Sequence, residues 1–514
     1  MRMAIKLHSA EVVGLSGQII DVEIDLSQGL FSFAIVGLAD KAVAESKERI
    51  SAAIKNLGAK SPQKKNQRVV ISLAPADLKK EGPVFDLALA LAYLLASKQT
   101  EFDPKKKIFL GELALDGSLR PIKGVLALAE KAAEAGFSEI YVPEGNGREA
   151  ALIDNIKVFE ADSLEKIVLH LEGKKKIAEM EKTELDLADA QTLLDFYDVR
   201  GQESAKRGLE IAAAGSHNAL MIGPPGTGKT MLARSFASIL PPLSVKEALE
   251  VTKIHSIAGA LKSDDDIIRV RPFRNPHHTS SYVSLVGGGA YPKPGEITLA
   301  HRGVLFLDEF AEFERRVIES LRQPLEDKVI TVSRARATIN FPAQITMLLA
   351  MNPCPCGNLG SNKPCVCNNA QINKYQRKIS GPIIDRIDLW LGVYAIDHKK
   401  LEDDFDTPGV ARREISKDIR KRVVSAREIQ KRRFLGSKIM TNSEMSIREI
   451  KKFCVLDDES KSHLQAAATR LDLSPRSYHR VIKLARTIAD LAGAPNIKSP
   501  HILEALQYRP KQLI

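Results

Sequence analysis

Eight consecutive residues, Gly223-Pro224-Pro225-Gly226-Thr227-Gly228-Lys229-Thr230, have the types and spacing that hold a polyphosphate. Glycines let backbone N–H groups converge on an anion, because no Cβ obstructs the turn. Lys229 is expected to bridge the β- and γ-phosphates of a nucleotide, and Thr230 to ligate Mg²⁺. A second group, Asp308-Glu309, closes the apolar run Val304–Leu307. At the C-terminal end of a buried strand, Asp308 would complete the Mg²⁺ shell and Glu309 would polarise the attacking water. A strand that merely ends in a surface Asp-Glu pair is the alternative, and beside a complete phosphate loop it loses. A third group is Cys354-x-Cys356-x8-Cys365-x-Cys367. Two readings of it stay open: four thiolates around a tetrahedral structural Zn²⁺, or four free thiols in a loop.

These residues need elements to hold them. Ala219–Ile222 is a short apolar strand running into the glycine loop. Met231–Ile239 reads as the following helix, its positive dipole end aimed at the phosphates. Val304–Leu307 and Ile345–Ala350 are further buried-strand candidates. Strands alternating with helices predict a parallel sheet covered on both faces. Upstream, the strand-like runs Val69–Leu73, Lys107–Leu110 and Glu139–Val142 alternate with helical spacing in Asp40–Asn56 and Phe85–Ala96. Downstream the pattern is helical, with Ala411–Phe434, Ile447–Cys454, Glu459–Leu471 and Pro475–Ala492. The expected fold class is therefore α/β. Its divisions are an α/β domain over 1–175, a charged linker over 176–194, a nucleotide-binding core over 195–395 and a helical region over 396–514.

The bulk numbers agree with a large chain of several cores. At 514 residues, length alone suggests about three domains. Hydrophobic residues make up 44% and charged residues 27%, a balance that suits globular folding. The net charge of +11 favours polyanionic partners. Part of it lies in Ala411–Phe434, which carries Arg412, Arg413, Arg420, Arg422, Arg427 and Arg433 among its bases. Contact with DNA or a neighbouring subunit and a plain solvated face are equal readings of that helix. No stretch long and apolar enough for a transmembrane helix is seen, and no membrane partner is expected. A cytoplasmic setting with reduced thiols is the expectation.

Longer motifs carry a resemblance. They are Arg271-Pro-Phe-Arg-Asn-Pro-His-His-Thr-Ser280, Val286-Gly-Gly-Gly-Ala-Tyr-Pro-Lys-Pro-Gly-Glu296, Asn352-Pro-Cys-Pro-Cys-Gly357, Gly381-Pro-Ile-Ile-Asp-Arg-Ile-Asp-Leu389 and Leu473-Ser-Pro-Arg-Ser-Tyr-His-Arg480. Together with the acidic strand they resemble the ComM/YifB branch of the magnesium-chelatase-like AAA+ ATPases, over nearly the whole chain. The resemblance implies a central P-loop αβα core with a C-terminal helical lid. It implies a sensor role for Asn352, an arginine finger at Arg386 acting on the neighbouring subunit's ATP, and a lid arginine at Arg476. It also implies a homo-oligomeric, hexameric ring that works on branched or duplex DNA. Two insertions are expected, within Thr279–Ile297 and as a hairpin over Val329–Pro342. Lys293, Arg334 and Arg336 are their candidate DNA contacts. The alternatives are a magnesium-chelatase-type ATPase subunit, a protein-remodelling motor and a nucleotide-binding scaffold.

The N-terminal domain resembles the proteolytic domain of Lon proteases, which has a ribosomal S5-like fold. Glu81-Gly-Pro-Val-Phe-Asp86 stands where that family places its nucleophile loop, and Arg120-Pro-Ile-Lys-Gly-Val-Leu126 where it brings its lysine. Val84 then falls at the serine position and Leu126 at the lysine position. Neither side chain is a nucleophile or a base, so no peptidase activity is expected.

Overall fold

The computed structural model describes residues 5–64, 66–183, 194–261, 267–289, 292–334, 337–361, 363–395 and 414–509. It divides into two compact units. The first is Met1–Asp186 with Val245–Ile268, and the second is Leu187–Ser244 with Arg269–Ile514. Most of the 176–194 linker, Arg336, and Ala411 to Arg413 lie outside the described residues.

In the first unit, β1 (Ile5–Val13), β2 (Ser16–Gln28), β3 (Ser32–Val36) and β4 (Gln67–Ala74) form a sheet in the order β1-β2-β4-β3. A second, parallel sheet holds β5 (Lys107–Phe109), β6 (Glu139–Pro143) and β7 (Lys157–Ala161). Helix α1 (Lys41–Asn56) starts at Asp40, whose side chain accepts from the Val43 amide. Helix α2 (Asp86–Ala96) is apolar on every face after its first residue, and it is buried over Asp86–Leu94. The buried Asp86 carboxylate is compensated by Arg49, with Nε 2.6 Å from Oδ2, and by the Ser46 hydroxyl.

The segment 245–268 corrects the sequence-based division, which left it in the 195–395 core. Its helix, Val245–Ala258, packs on α3 (Val125–Glu134) in the first unit. Ala248, Val251, Ile254 and Ser256 are buried there. The Ser256 hydroxyl donates to the buried Glu149 carboxylate and accepts from the Gly124 amide at 2.9 Å. Lys253 Nζ lies 2.8 Å from Glu130.

The second unit is built on a five-stranded sheet in the order β9-β10-β11-β8-β12, with every pair parallel. The strands are β8 (Ala219–Ile222), β9 (Phe273–Arg274), β10 (Val304–Leu307), β11 (Thr346–Met351) and β12 (Leu389–Gly392). All four side chains of β10 have no exposed surface. Each is worth about 1.5–3 kcal/mol relative to exposure. Helix α4 (Lys229–Ile239) begins two residues before the expected Met231, since the loop lysine is already helical. The helical region carries Ile447–Phe453, Asp458–Arg470 and two long helices, α5 (Ser416–Arg433) and α6 (Pro475–Leu491). It shares one core with the sheet, through Leu209, Phe236, Val423, Leu484 and Ile488.

Four arginines of α5 have partners within the chain. Arg420 Nε donates to Ser238 O at 2.7 Å, and Arg422 pairs with Glu210 and with Glu414. Arg427 Nη2 donates to Ala213 O at 2.8 Å, and Arg433 pairs with Asp490. No described helix is long and apolar enough to cross a membrane.

Candidate active site

The phosphate loop leaves β8 and enters α4 through tight backbone. Gly228, at φ +92°, caps α4 in the left-handed region. At Gly223 a Cβ would sit 1.9 Å from the Val393 carbonyl oxygen, so only glycine fits. Lys229 is buried at the start of α4, and its Nζ donates to Gly223 O at 2.7 Å, Pro224 O at 2.8 Å and Asn352 Oδ1 at 3.2 Å. Burial lowers its pKa, against the opposing pull of Asp308 and Glu309. Thr227 Oγ1 donates to Pro224 O at 2.9 Å and pins the loop from within.

The sheet order explains the rest of the constellation. β8 lies beside β11, and β11 beside β10, so the loop, Asn352 and the acid pair all come off the C-terminal ends of adjacent parallel strands. Thr230 Oγ1 donates to Asp308 Oδ2 at 2.7 Å. Glu309 follows in the left-handed region, at φ +51°, and its amide donates to Asp308 Oδ1 at 2.9 Å. The Glu309 carboxylate is half exposed. Its Oε2 lies 3.2 Å from His278 Nδ1. The His277 and His278 rings stack with centroids 4.2 Å apart. His278 is in the quoted Arg271–Ser280 motif but drew no role from sequence. Two adjacent histidines after a strand are the signal that was available.

Chemically, this set fits a nucleotide with its metal. An ammonium, a helix N-terminus and glycine backbone converge at one strand end, while hard hydroxyl and carboxylate oxygens meet beside them. The Glu309 carboxylate, paired with His278, follows Asp308 directly in the chain.

Arg386 and Arg476 lie apart from these contacts. The Arg386 guanidinium is buried, is paired with Glu326 through Nη2 and donates from Nη1 to Pro382 O. Burial lowers its pKa, with Glu326 opposing. Arg476 is exposed, with Nη2 3.8 Å from the same Glu326 carboxylate. Arg476 opens α6, and that helix is fixed to the sheet through Asp388. The buried Asp388 carboxylate pairs with Arg480 and lies 3.3 Å from His217 Nδ1. His217 Nε2 reaches Thr487 Oγ1 at 2.8 Å. Burial alone would raise the Asp388 pKa, but Arg480 and His217 hold it well below the carboxylate range.

The four cysteines come together. All four sulfurs lie within 4.8 Å of one another, with Cys354–Cys356 at 3.5 Å, Cys354–Cys365 at 3.7 Å and Cys356–Cys365 at 3.6 Å. None forms a disulfide. Backbone amides, chiefly that of Asn358, hold the Cys356 thiol down at about 6.

The two expected insertions have structure of their own. Val329–Arg334 pairs antiparallel with Ala337–Pro342, putting Arg334 opposite Ala337 at the tip. Lys293 is exposed in a short ribbon, Gly287–Gly288 with Lys293–Pro294. In the first unit Leu126 is buried and Val84 half-buried among apolar neighbours.

Comparison with known proteins places the chain. The family model "Magnesium chelatase, subunit ChlI" matches residues 195–401, "Subunit ChlI of Mg-chelatase" 22–146 and "Magnesium chelatase, subunit ChlI C-terminal" 413–509. The chain is 42% identical to the uncharacterized protein YifB of Salmonella typhimurium, over 99% of this chain and 97% of that one. It is 41% identical to the competence protein ComM of Haemophilus influenzae, over 99% and 98%. The chain belongs to the ComM/YifB family of magnesium-chelatase-like AAA+ ATPases. Membership of this family implies use of ATP and Mg²⁺, which the loop and the acid pair fit. The family's Lon-like part is visible here as well: Lon protease 2 of Bacillus subtilis is 25% identical over 182 residues, 33% of each chain.

Proposed function

We propose that this chain is a DNA motor, an AAA+ ATPase that assembles as a hexameric ring in the cytoplasm. In this reading it couples ATP hydrolysis to DNA translocation and branch migration during recombination of incoming DNA. The observation that carries the ATPase half is the convergence of Lys229, Thr230, Asp308, Glu309 and Asn352 at adjacent strand ends. The net charge of +11, the exposed Lys293 and the arginine-bearing hairpin support a polyanionic track.

In this reading each residue has a role that the geometry supports or the family resemblance implies. Lys229 exchanges its loop carbonyls for the β- and γ-phosphates. Thr230 and Asp308 would hold Mg²⁺, which would neutralise charge on the phosphate oxygens. Glu309, beside His278, orients and polarises water. Asn352 senses the γ-phosphate from the end of β11. Arg386 reaches the neighbouring subunit's ATP once released from Glu326, and Arg476 acts from the lid. An arginine finger is worth about 10³–10⁵ in rate. Arg386→Ala is therefore expected to abolish turnover while ATP still binds. Near-normal turnover by that variant removes the assignment. Without a nucleophile at Val84 or a base at Leu126, the first unit has no peptidase role in this reading.

A second reading, a chelatase-type ATPase subunit, is favoured by the printed names of the family models. One experiment separates the two. ATPase rate is measured with branched DNA, with chelatase partner subunits plus porphyrin, and with unfolded protein. DNA is expected to stimulate turnover, more strongly at low salt. A flat response to DNA at every ionic strength, with stimulation by either other addition, overturns the DNA reading.

A further inference from the structure

We propose that Cys354, Cys356, Cys365 and Cys367 bind one Zn²⁺ and that this ion holds Asn352 in register with the phosphate loop. The metal half rests on sulfur geometry. A tetrahedral Zn²⁺ with Zn–S bonds of about 2.3 Å sets its sulfurs about 3.8 Å apart. The three closest pairs here are 3.5, 3.6 and 3.7 Å apart, and the fourth sulfur is within 4.8 Å of the others. These separations are far beyond a disulfide, whose sulfurs lie about 2.05 Å apart. They also leave room for one ion at the centre rather than for a sulfide-bridged iron cluster. Four soft donors in a tetrahedron select Zn²⁺ over the oxygen-seeking cations.

The positioning half rests on what the thiolate loop touches, and it depends on the proposal that Asn352 faces the nucleotide. Asn352 stands two residues before Cys354. Gly357, at φ +79°, closes a turn by donating to Cys354 O at 3.0 Å. A Cβ there would lie 2.7 Å from Pro225 Cδ, so the thiolate loop is seated on the phosphate loop itself. Beyond Cys367, Asn368 caps the helix Asn369–Gln376. That helix returns Gln376, whose Nε2 donates to Pro353 O at 3.3 Å. One ion therefore ties the chain just after Asn352 to the loop it faces.

The test begins with metal analysis of the full chain purified without chelators or added nucleotide. It is independent of whether the chain hydrolyses ATP. Zinc near one equivalent per chain is expected, and exchange for Co²⁺ should give the absorption of a tetrahedral tetrathiolate. Stoichiometric iron, or no metal with all four thiols reacting freely with Ellman's reagent, overturns the zinc assignment. Zinc is then released from the native chain by titration with an organomercurial, while a dye follows the ion and ATP turnover is recorded. Cys365→Ser and Cys367→Ser are run in parallel. Turnover is expected to fall about 10- to 100-fold, the range of losses when outer support of a site is removed. Affinity for a fluorescent ADP analogue should change far less. Zinc release with unchanged turnover overturns the positioning half, whereas zinc-loaded chain with no ATPase at all counts against the motor reading instead.

Discussion

At the scale of single residues, the decisive feature is the turn after β10. Asp308 pairs with Thr230, and Glu309, in the left-handed region, has its carboxylate beside His278. Glu309→Gln is expected to lower kcat about 10²–10⁴-fold, the usual worth of a positioned proton acceptor, with nucleotide affinity retained. His278→Ala should also lower kcat, by less and with unchanged KM, because it orients Glu309 rather than touching phosphate. Steady-state kinetics beside nucleotide titration checks both, and a KM effect alone from either variant refutes the assignment. Glu11 offers a different test. Burial lifts its carboxyl from 4.5 to about 8, and its Oε2 has no hydrogen-bond partner among the described residues. The folded chain keeps a proton that the unfolded chain releases between those values. Stability is thus full below the unfolded pKa and is lost as pH rises through the folded one. Amide-exchange protection in β1 and β2 should decline over that window in the wild type and stay flat in Glu11→Gln.

At the scale of elements, the Asp388 network decides how α6 sits on the sheet. Asp388→Ala takes the carboxylate from the half-buried Arg480 and from Nδ1 of the buried His217, which costs up to about 3–5 kcal/mol. A drop of that order in urea unfolding is expected, and a change below about 0.5 kcal/mol, typical of surface sites, would refute the role. The same elements show what sequence can and cannot reveal. The glycine loop, the apolar β10 and the acid pair were legible because a backbone phosphate cradle and a buried parallel strand restrict residue types over contiguous positions. The cysteine quartet was legible from spacing. His278 beside Glu309 was not, since that contact depends on β9 lying next to β10 across 31 positions of sequence. The basic side of α5 misled for a related reason. Its charges looked free, yet Arg420, Arg422, Arg427 and Arg433 meet partners 57 to 214 residues away.

At the scale of the whole molecule, the chain leaves the second unit after Ser244, contributes 245–268 to the first and returns at Arg269. Helical periodicity announces that Val245–Ala258 buries a face, but it cannot say which core receives it. Position in the sequence alone therefore puts the helix in the ATPase core. The routing has a practical edge. A fragment ending at Asp186 would lack the side chains that cover α3 and would strand the Glu149 carboxylate without the Ser256 hydroxyl. Such a fragment is expected to aggregate or melt early, and a peptide spanning 245–268 should rescue it. A fragment that melts normally on its own refutes this. In the language of inheritance, the first unit is not a detachable module. A recombination or truncation that cuts at its apparent end leaves a hole in the first core and strands the helix that filled it on the second unit's chain, so the first unit can be exchanged between relatives only with residues 245–268.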